Sequence, residues 1–221
     1  PMKRQTVLIL FTMLVFLSTS TVSVFANPTI KYQEEAEKLN TLNIFKGTEK
    51  GFELNRAPTR VEGAAIFVRL MGGEEEALEN NYPHPFTDVP KWGRPYVGFL
   101  YHHNLTKGVT EDTFGSKKPM NAAAYTTFAL RSIGYQDTNG DFKWRRATDK
   151  ALEIELIHEE FYQELKEENF LRDHVVHLSY LLLSQPVKDD SGTLAEKLVD
   201  YGTLSKEDLI LLEILPEQAD D

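Results

Sequence analysis

The sequence predicts an all-α protein, mainly helical, built from a repeated unit, and three observations lead there. Phe52 to Gly72 (FELNRAPTRVEGAAIFVRLMG) lies without a gap on Phe114 to Gly134 (FGSKKPMNAAAYTTFALRSIG), an offset of 62. Within each copy apolar residues return at helical spacing. Each such stretch is bracketed by residues that start or stop helices. A unit that cannot bury its apolar face alone, met again at a fixed offset, buries it against its own copies.

The first 26 residues read as an export signal. Lys3 and Arg4 precede the apolar run Val7 to Leu17, and Val24-Phe25-Ala26 ends a Ser/Thr stretch, so cleavage is expected after Ala26. A membrane span would need about 20 apolar residues, and polar residues begin at Ser18.

The first unit occupies 27–73. Tyr32, Ala36, Leu39 and Leu42 fall at helical spacing, and Gly47 is read as the left-handed residue that ends this helix. Thr59-Arg60-Val61-Glu62 is a Thr-x-x-Glu string ahead of an apolar run. The Thr59 hydroxyl can accept the Glu62 amide while the Glu62 carboxylate reaches back to Thr59, so a helix should begin at Thr59. Val61, Ala64, Ala65, Val68 and Met71 line one stripe, and Ile66, Phe67 and Leu70 cover much of the rest. A helix apolar nearly all round belongs in a core.

The second unit spans 84–135. Pro95 suits a helix start, Gly108 is read as the end of that helix, and Asn121 as the cap of the next. A third, weaker copy, 136–186, follows the Asn139-Gly140 turn. It places Glu155-Leu156-Ile157 on Asn43-Ile44-Phe45 and Arg172 on Arg60, at an offset of 112. Residues 187–221 read as a linker, a further helix around Leu194, Leu198 and Leu204, and an apolar extension with an acidic end.

Without the signal the chain holds 22 basic and 34 acidic residues, a net charge of −12. So acidic a protein with no basic run is a poor partner for nucleic acid or an anionic membrane. It has no cysteine, which excludes a disulfide framework, a thiolate metal site and a cysteine nucleophile.

Phe52 and Pro58-Thr59-Arg60-Val61-Glu62-Gly63-Ala64 resemble the second half of the S-layer homology (SLH) repeat with its Thr-Arg-Ala-Glu motif, here with Val for Ala. Phe86-Thr87-Asp88-Val89-Pro90-Lys91-Trp92, followed by Pro95-Tyr96-Val97 and Leu105-Thr106-Lys107-Gly108, resembles the opening half of the next repeat. The resemblance covers about 31 to 185 and is firm through Tyr135. It implies a pseudo-threefold array of three repeats around a central three-helix bundle, with ligand grooves between the prongs. It also implies a non-catalytic, secreted, cell-surface module that binds an anionic secondary cell-wall polymer, often through a pyruvylated sugar, and needs no cofactor. The alternative is a degenerate module that binds another envelope protein. A secreted hydrolase would need a catalytic pair, and none is evident.

The candidate polymer contacts are Arg60, Asp88, Trp92 and Arg172, with Thr59 and Glu62 as structural caps. Arg60 opens a capped helix, where free amides and the dipole favour an anion, and its guanidinium can grip a carboxylate in bidentate fashion. Trp92 and Tyr96 offer ring faces to sugars, and Asp88 or Lys91 could bond hydroxyls. Each has a plainer reading: a solvated helix start for Arg60, core packing for Trp92, a turn cap for Asp88. Ala122 stands on the Arg60 position in the second unit, and His174 on the Glu62 position in the third. One or two working grooves are expected.

Other constellations fall short. Asp137 to Asp141 starts like a calcium loop, but Phe142 and Thr148 stand where an EF-hand needs Gly and Glu. His174 and His177 lack a third metal ligand. The runs Glu74-Glu75-Glu76 and Glu167-Glu168 read as solvated faces.

Overall fold

A computed structural model of the chain describes residues 29–167, 169–190 and 192–217. The expected signal at 1–26 lies outside the described residues. Ten α-helices run in order among them: α1 (Gln33–Thr41), α2 (Arg60–Leu70), α3 (Glu74–Asn80), α4 (Arg94–His102), α5 (Ala122–Ser132), α6 (Ala147–Glu153), α7 (Glu159–Glu167), α8 (Arg172–Leu183), α9 (Leu194–Asp200) and α10 (Lys206–Leu211). Among the described residues, extended contacts occur only as isolated bridges. The protein is all-α.

Three pairs of a leading helix and a core helix organise the chain: α1 with α2, α4 with α5, and α6 with α8. The core helices start where local chemistry places them. Thr59 and Glu62 form the full reciprocal cap, and Asn121 Oδ1 accepts the Ala124 amide at 2.9 Å. Leu171 has no side-chain acceptor, so α8 keeps only the return half: the Leu171 amide donates to His174 Nδ1 at 3.0 Å. Between these starts and their ends, α2 and α5 bury most of their residues.

α5 packs against both α2 and α8. Phe67 and Phe128 stack at 4.6 Å, and the buried Tyr125 hydroxyl lies 2.6 Å from Ser179 Oγ. α2 and α8 meet at their starts, where the Arg172 amide donates to the Arg56 carbonyl at 2.9 Å. The equivalent link joins the first unit to the second, the Arg60 amide donating to the Lys118 carbonyl at 2.9 Å. Each leading helix packs on the core helix of the unit before it: α4 on α2 and α6 on α5. α1 closes the circle by packing on α8.

Gly47 and Gly108 do not end the leading helices. Asn43 (φ 58°) and Asn104 (φ 57°) do, four residues earlier. In each case the next two amides donate to one carbonyl, Leu39 in α1 and Leu100 in α4. Asn tolerates the left-handed region, so the stop falls as soon as the apolar stripe is complete, and the glycines are left to shape the turn beyond. The same stop recurs after α6, with Glu155 (φ 58°) and the Ala151 carbonyl.

The tail is packed rather than loose. The Lys188 amide donates to the Ile133 carbonyl at 2.9 Å, and a Cβ on Gly72 would lie 3.0 Å from Thr203 Oγ1. α9 packs on α8 and reaches the end of α2, where a Cβ on Gly72 would also meet Leu198 at 3.3 Å. Ala195-Glu196-Lys197-Leu198 repeats Ala36-Glu37-Lys38-Leu39 of α1, and Gly202 (φ 70°) ends it with the same pair of amides on the Leu198 carbonyl.

Candidate functional site

Two open grooves lie where a core helix, the turn after its leading helix and the next unit come together. The first, about 290 Å3, is walled by Glu62, Ala65, Ile66 and Arg69 of α2 and by the turn Lys46-Gly47-Thr48. Trp92, just ahead of α4, forms its rim at 51% exposure, and Arg172 enters from the third unit. The second, about 350 Å3, repeats this wall with Ala124, Thr127, Phe128 and Arg131 of α5 and the turn Lys107-Gly108-Val109. Trp144, ahead of α6, takes the rim at 46% exposure, and Arg60 enters from the first unit.

The arginines that open α2 and α8 thus each serve the groove of a neighbouring unit. Arg172 lies 4.6 Å over the Phe45 ring and Arg60 lies 4.8 Å over the Phe114 ring. Their partners differ. Arg172 donates from Nε to the Phe52 carbonyl at 2.8 Å and from Nη1 to Glu62 Oε1 at 3.0 Å. Glu62 is held further by Arg56 at 2.6 Å and by the Thr59 amide at 2.7 Å. Burial alone would raise the Glu62 pKa, but the bonds from Arg56 and Thr59 and the Arg172 charge bring it down to about 2.

Among the described residues Arg60 has no carboxylate paired with it. Its Nε is buried and has no hydrogen-bond partner. Burial and the nearby Arg131 guanidinium both press its pKa down from the usual arginine value. Arg131 itself is answered, pairing with Asp137 at 2.7 Å and donating to the Leu105 carbonyl at 3.0 Å. A buried donor without an acceptor is costly and marks a place where an acceptor fits.

The interface between α8 and α1 has the same plan but is filled. His177 holds the position of Ala65 and Thr127. Tyr32 stacks on it at 3.9 Å, Phe161 of α7 meets it edge-on at 4.6 Å, and Glu35 pairs with it at 2.8 Å. Where the first two units make an open turn after the leading helix, the third makes α7, and Glu164 reaches His174 at 3.0 Å. At the head of α8, Ala122 of the second unit would be the arginine for this interface, and it is a short apolar residue.

The structure brings Arg172, Trp92 and the Thr59/Glu62 cap to the first groove and Arg60 to the second. Asp88, expected beside the ligand, is turned inward: its two oxygens accept the amides of Phe114, Gly115 and Ser116 at 2.7, 2.9 and 2.7 Å. It clips the opening of the second unit to its loop, because three free amides in one turn make a seat for a carboxylate. Tyr96 offers no ring face either; it is buried, with its hydroxyl bonding to Glu74 at 2.6 Å. Glu74, read from sequence as solvated, also accepts from Arg69 at 2.8 Å and Lys46 at 3.1 Å. In the calcium-like string, Asp137 goes to Arg131 and Asp141 to Lys188 at 2.6 Å. Among the described residues no three His, Asp or Glu side chains gather as metal ligands, and no helix is long and apolar enough to cross a membrane.

Trp144, Arg69 and Arg131 were not singled out from sequence. The recurrence of Lys91-Trp92 as Lys143-Trp144, each just ahead of a leading helix, is a signal that finds the second tryptophan. Arg69 and Arg131 are matched at the repeat offset of 62.

Residues 85–121 match the family model of the S-layer homology domain. Among characterised proteins, the chain is 24% identical over 107 residues to the middle cell wall protein of Brevibacillus brevis, a match covering 47% of this chain and 10% of that protein. It is 45% identical over 56 residues to a cell surface protein of Thermoanaerobacter kivui, covering 24% of this chain and 7% of that one. A surface layer protein of Brevibacillus choshinensis is 25% identical over 107 residues, again 47% of this chain and 10% of the relative. The matched segments thus span a tenth or less of these relatives.

Proposed function

We propose that the S-layer homology domain this chain carries works as a non-catalytic anchor, holding the protein at the cell surface by gripping an anionic secondary polymer of the cell wall. The observation that carries the reading is the second groove. Arg60 stands there with a buried, unpartnered Nε and, among the described residues, no carboxylate paired with it, next to the half-exposed face of Trp144. A planar cation beside an aromatic wall suits a sugar bearing a carboxylate: the fork takes the charge and the ring takes the sugar's apolar face. The first groove, with Arg172 and Trp92, adds a second contact. Relatives named as cell wall and surface layer proteins support the location, and an export signal at 1–26 would deliver the chain there.

The test is sedimentation of the purified protein with wall sacculi. It should pellet with intact walls and stay in solution once the polymer has been stripped by acid. Pelleting that survives stripping would overturn polymer binding and point to a protein partner in the envelope.

A further inference from the structure

The two grooves share one plan, each lined by three cations and one carboxylate, and differ in which cation the carboxylate holds. Lys46, Gly47 and Arg69 of the first are matched by Lys107, Gly108 and Arg131 of the second, and Trp92 by Trp144. The third residue of the core helix is the point of divergence: Glu62 in α2 and Ala124 in α5. Glu62 lies in the first groove and already occupies the guanidinium that enters it, at 3.0 Å. Lys46 and Arg69 share Glu74, at 3.1 and 2.8 Å. Every cation of the first groove therefore has a carboxylate partner within the protein. In the second groove Ala124 stands where Glu62 would, and the lining carboxylate, Asp137, is taken by Arg131 at 2.7 Å, which leaves the buried Arg60 Nε without a hydrogen-bond partner among the described residues.

We infer that the grooves divide the polymer between them: the second takes a sugar bearing a carboxylate, the first takes an uncharged, hydroxyl-bearing sugar, and the residue at Glu62 or Ala124 sets the difference. A ligand carboxylate entering the first groove would have to displace Glu62 from Arg172 or lie close to it, and like charges in a confined site repel. A neutral sugar meets no such opposition. It can stack on Trp92 and use the polar edge of the ion pairs, whose remaining lone pairs and N–H groups serve hydroxyls. In the second groove the same neutral sugar would leave the buried Arg60 Nε unanswered, whereas a carboxylate satisfies it. The inference rests on the wall-polymer reading above, and concerns which part of that polymer each groove holds.

The chain contains two tryptophans, one at each rim, so each groove carries its own reporter. Indole N–H resonances, assigned with Trp92→Phe and Trp144→Phe, are followed while lysozyme-solubilised wall polymer is titrated in. The titration is repeated with the same polymer after its carboxylates have been reduced to alcohols. Native polymer should shift both indoles. Reduced polymer should still shift Trp92, with the Trp144 response weakened at least about tenfold, the scale of a lost charge-assisted hydrogen bond. Ala124→Glu should reproduce that loss at Trp144 with native polymer, while Ala124→Gln, of the same size, should not. Glutamate there is the third helical residue after the Asn121 cap, a favourable place, so the variant should fold. Equal weakening at both indoles on reduction, or full retention at Trp144 in Ala124→Glu, overturns the division and leaves wall binding standing. No response of either indole to native polymer overturns the groove assignment altogether.

Discussion

The two open grooves and the filled interface between α8 and α1 are made from the same parts, and the contrast shows how little separates a binding site from a seam. At the sixth residue of the core helix the open grooves have Ala65 and Thr127; the filled one has His177, stacked under Tyr32 and paired with Glu35. After the leading helix the open grooves have a glycine turn; the filled one has α7. One large side chain and one extra helix turn a cleft into packing. A repeat that loses its groove in this way can still close the ring, since α1 packs on α8 as α4 packs on α2.

The contrast extends to the arginines, and mutation separates them. Arg172 is a structural residue as much as a groove residue, with its side chain only 3% exposed and its guanidinium spread over Glu62, two backbone carbonyls and the Phe45 ring. Arg172→Ala should destabilise the fold by about 3–5 kcal/mol, the cost of leaving a buried partner unpaired, read by urea unfolding. Asp88→Ala follows. It strips three amides of their acceptor and should cost about 2–4 kcal/mol, with Asp88→Asn intermediate, on the same unfolding curve.

Glu62 gives a pH signature. Its pKa in the folded protein, about 2, lies below the ordinary 4.5, so its stabilisation is complete above about pH 5 and drains away as the pH falls toward 2. Wild type should exceed Glu62→Gln by about 2 kcal/mol at pH 7, allowing for partial exposure, and the gap should close by pH 2. A gap independent of pH would mean that the charge is not what holds the cap. In the filled interface, His177→Ala should cost about 1–2 kcal/mol through the lost stack and packing. It should leave wall sedimentation unchanged, since no groove is lost.

Much of this was legible in the sequence where the physics is local. The Thr59/Glu62 box, the Asn121 cap and the nearly all-apolar α2 are decided within a few residues, and the structure has them. Helix ends were misread by four residues because glycine advertises the left-handed conformation loudly, while Asn43 and Asn104 adopt it quietly. Site geometry was legible as residue types and not as partnerships. Arg60 and Trp92, both candidate polymer contacts from the sequence, line different grooves, because each of the two arginines crosses into the neighbouring unit. The contact of Arg172 with Glu62 bridges 110 residues, and no spacing rule in the chain foretells it. Asp88 looked available because its three amide donors lie 26 to 28 residues further on.

Arg60 is the most direct test of the whole account. Its substitution removes no ion pair, so Arg60→Ala should keep its unfolding free energy within about 1 kcal/mol of wild type. Calorimetric titration of solubilised wall polymer into the two folded proteins should show the variant at least about tenfold weaker, with less dependence on salt. Equal affinity and equal salt dependence would contradict the claim that Arg60 is the anion seat.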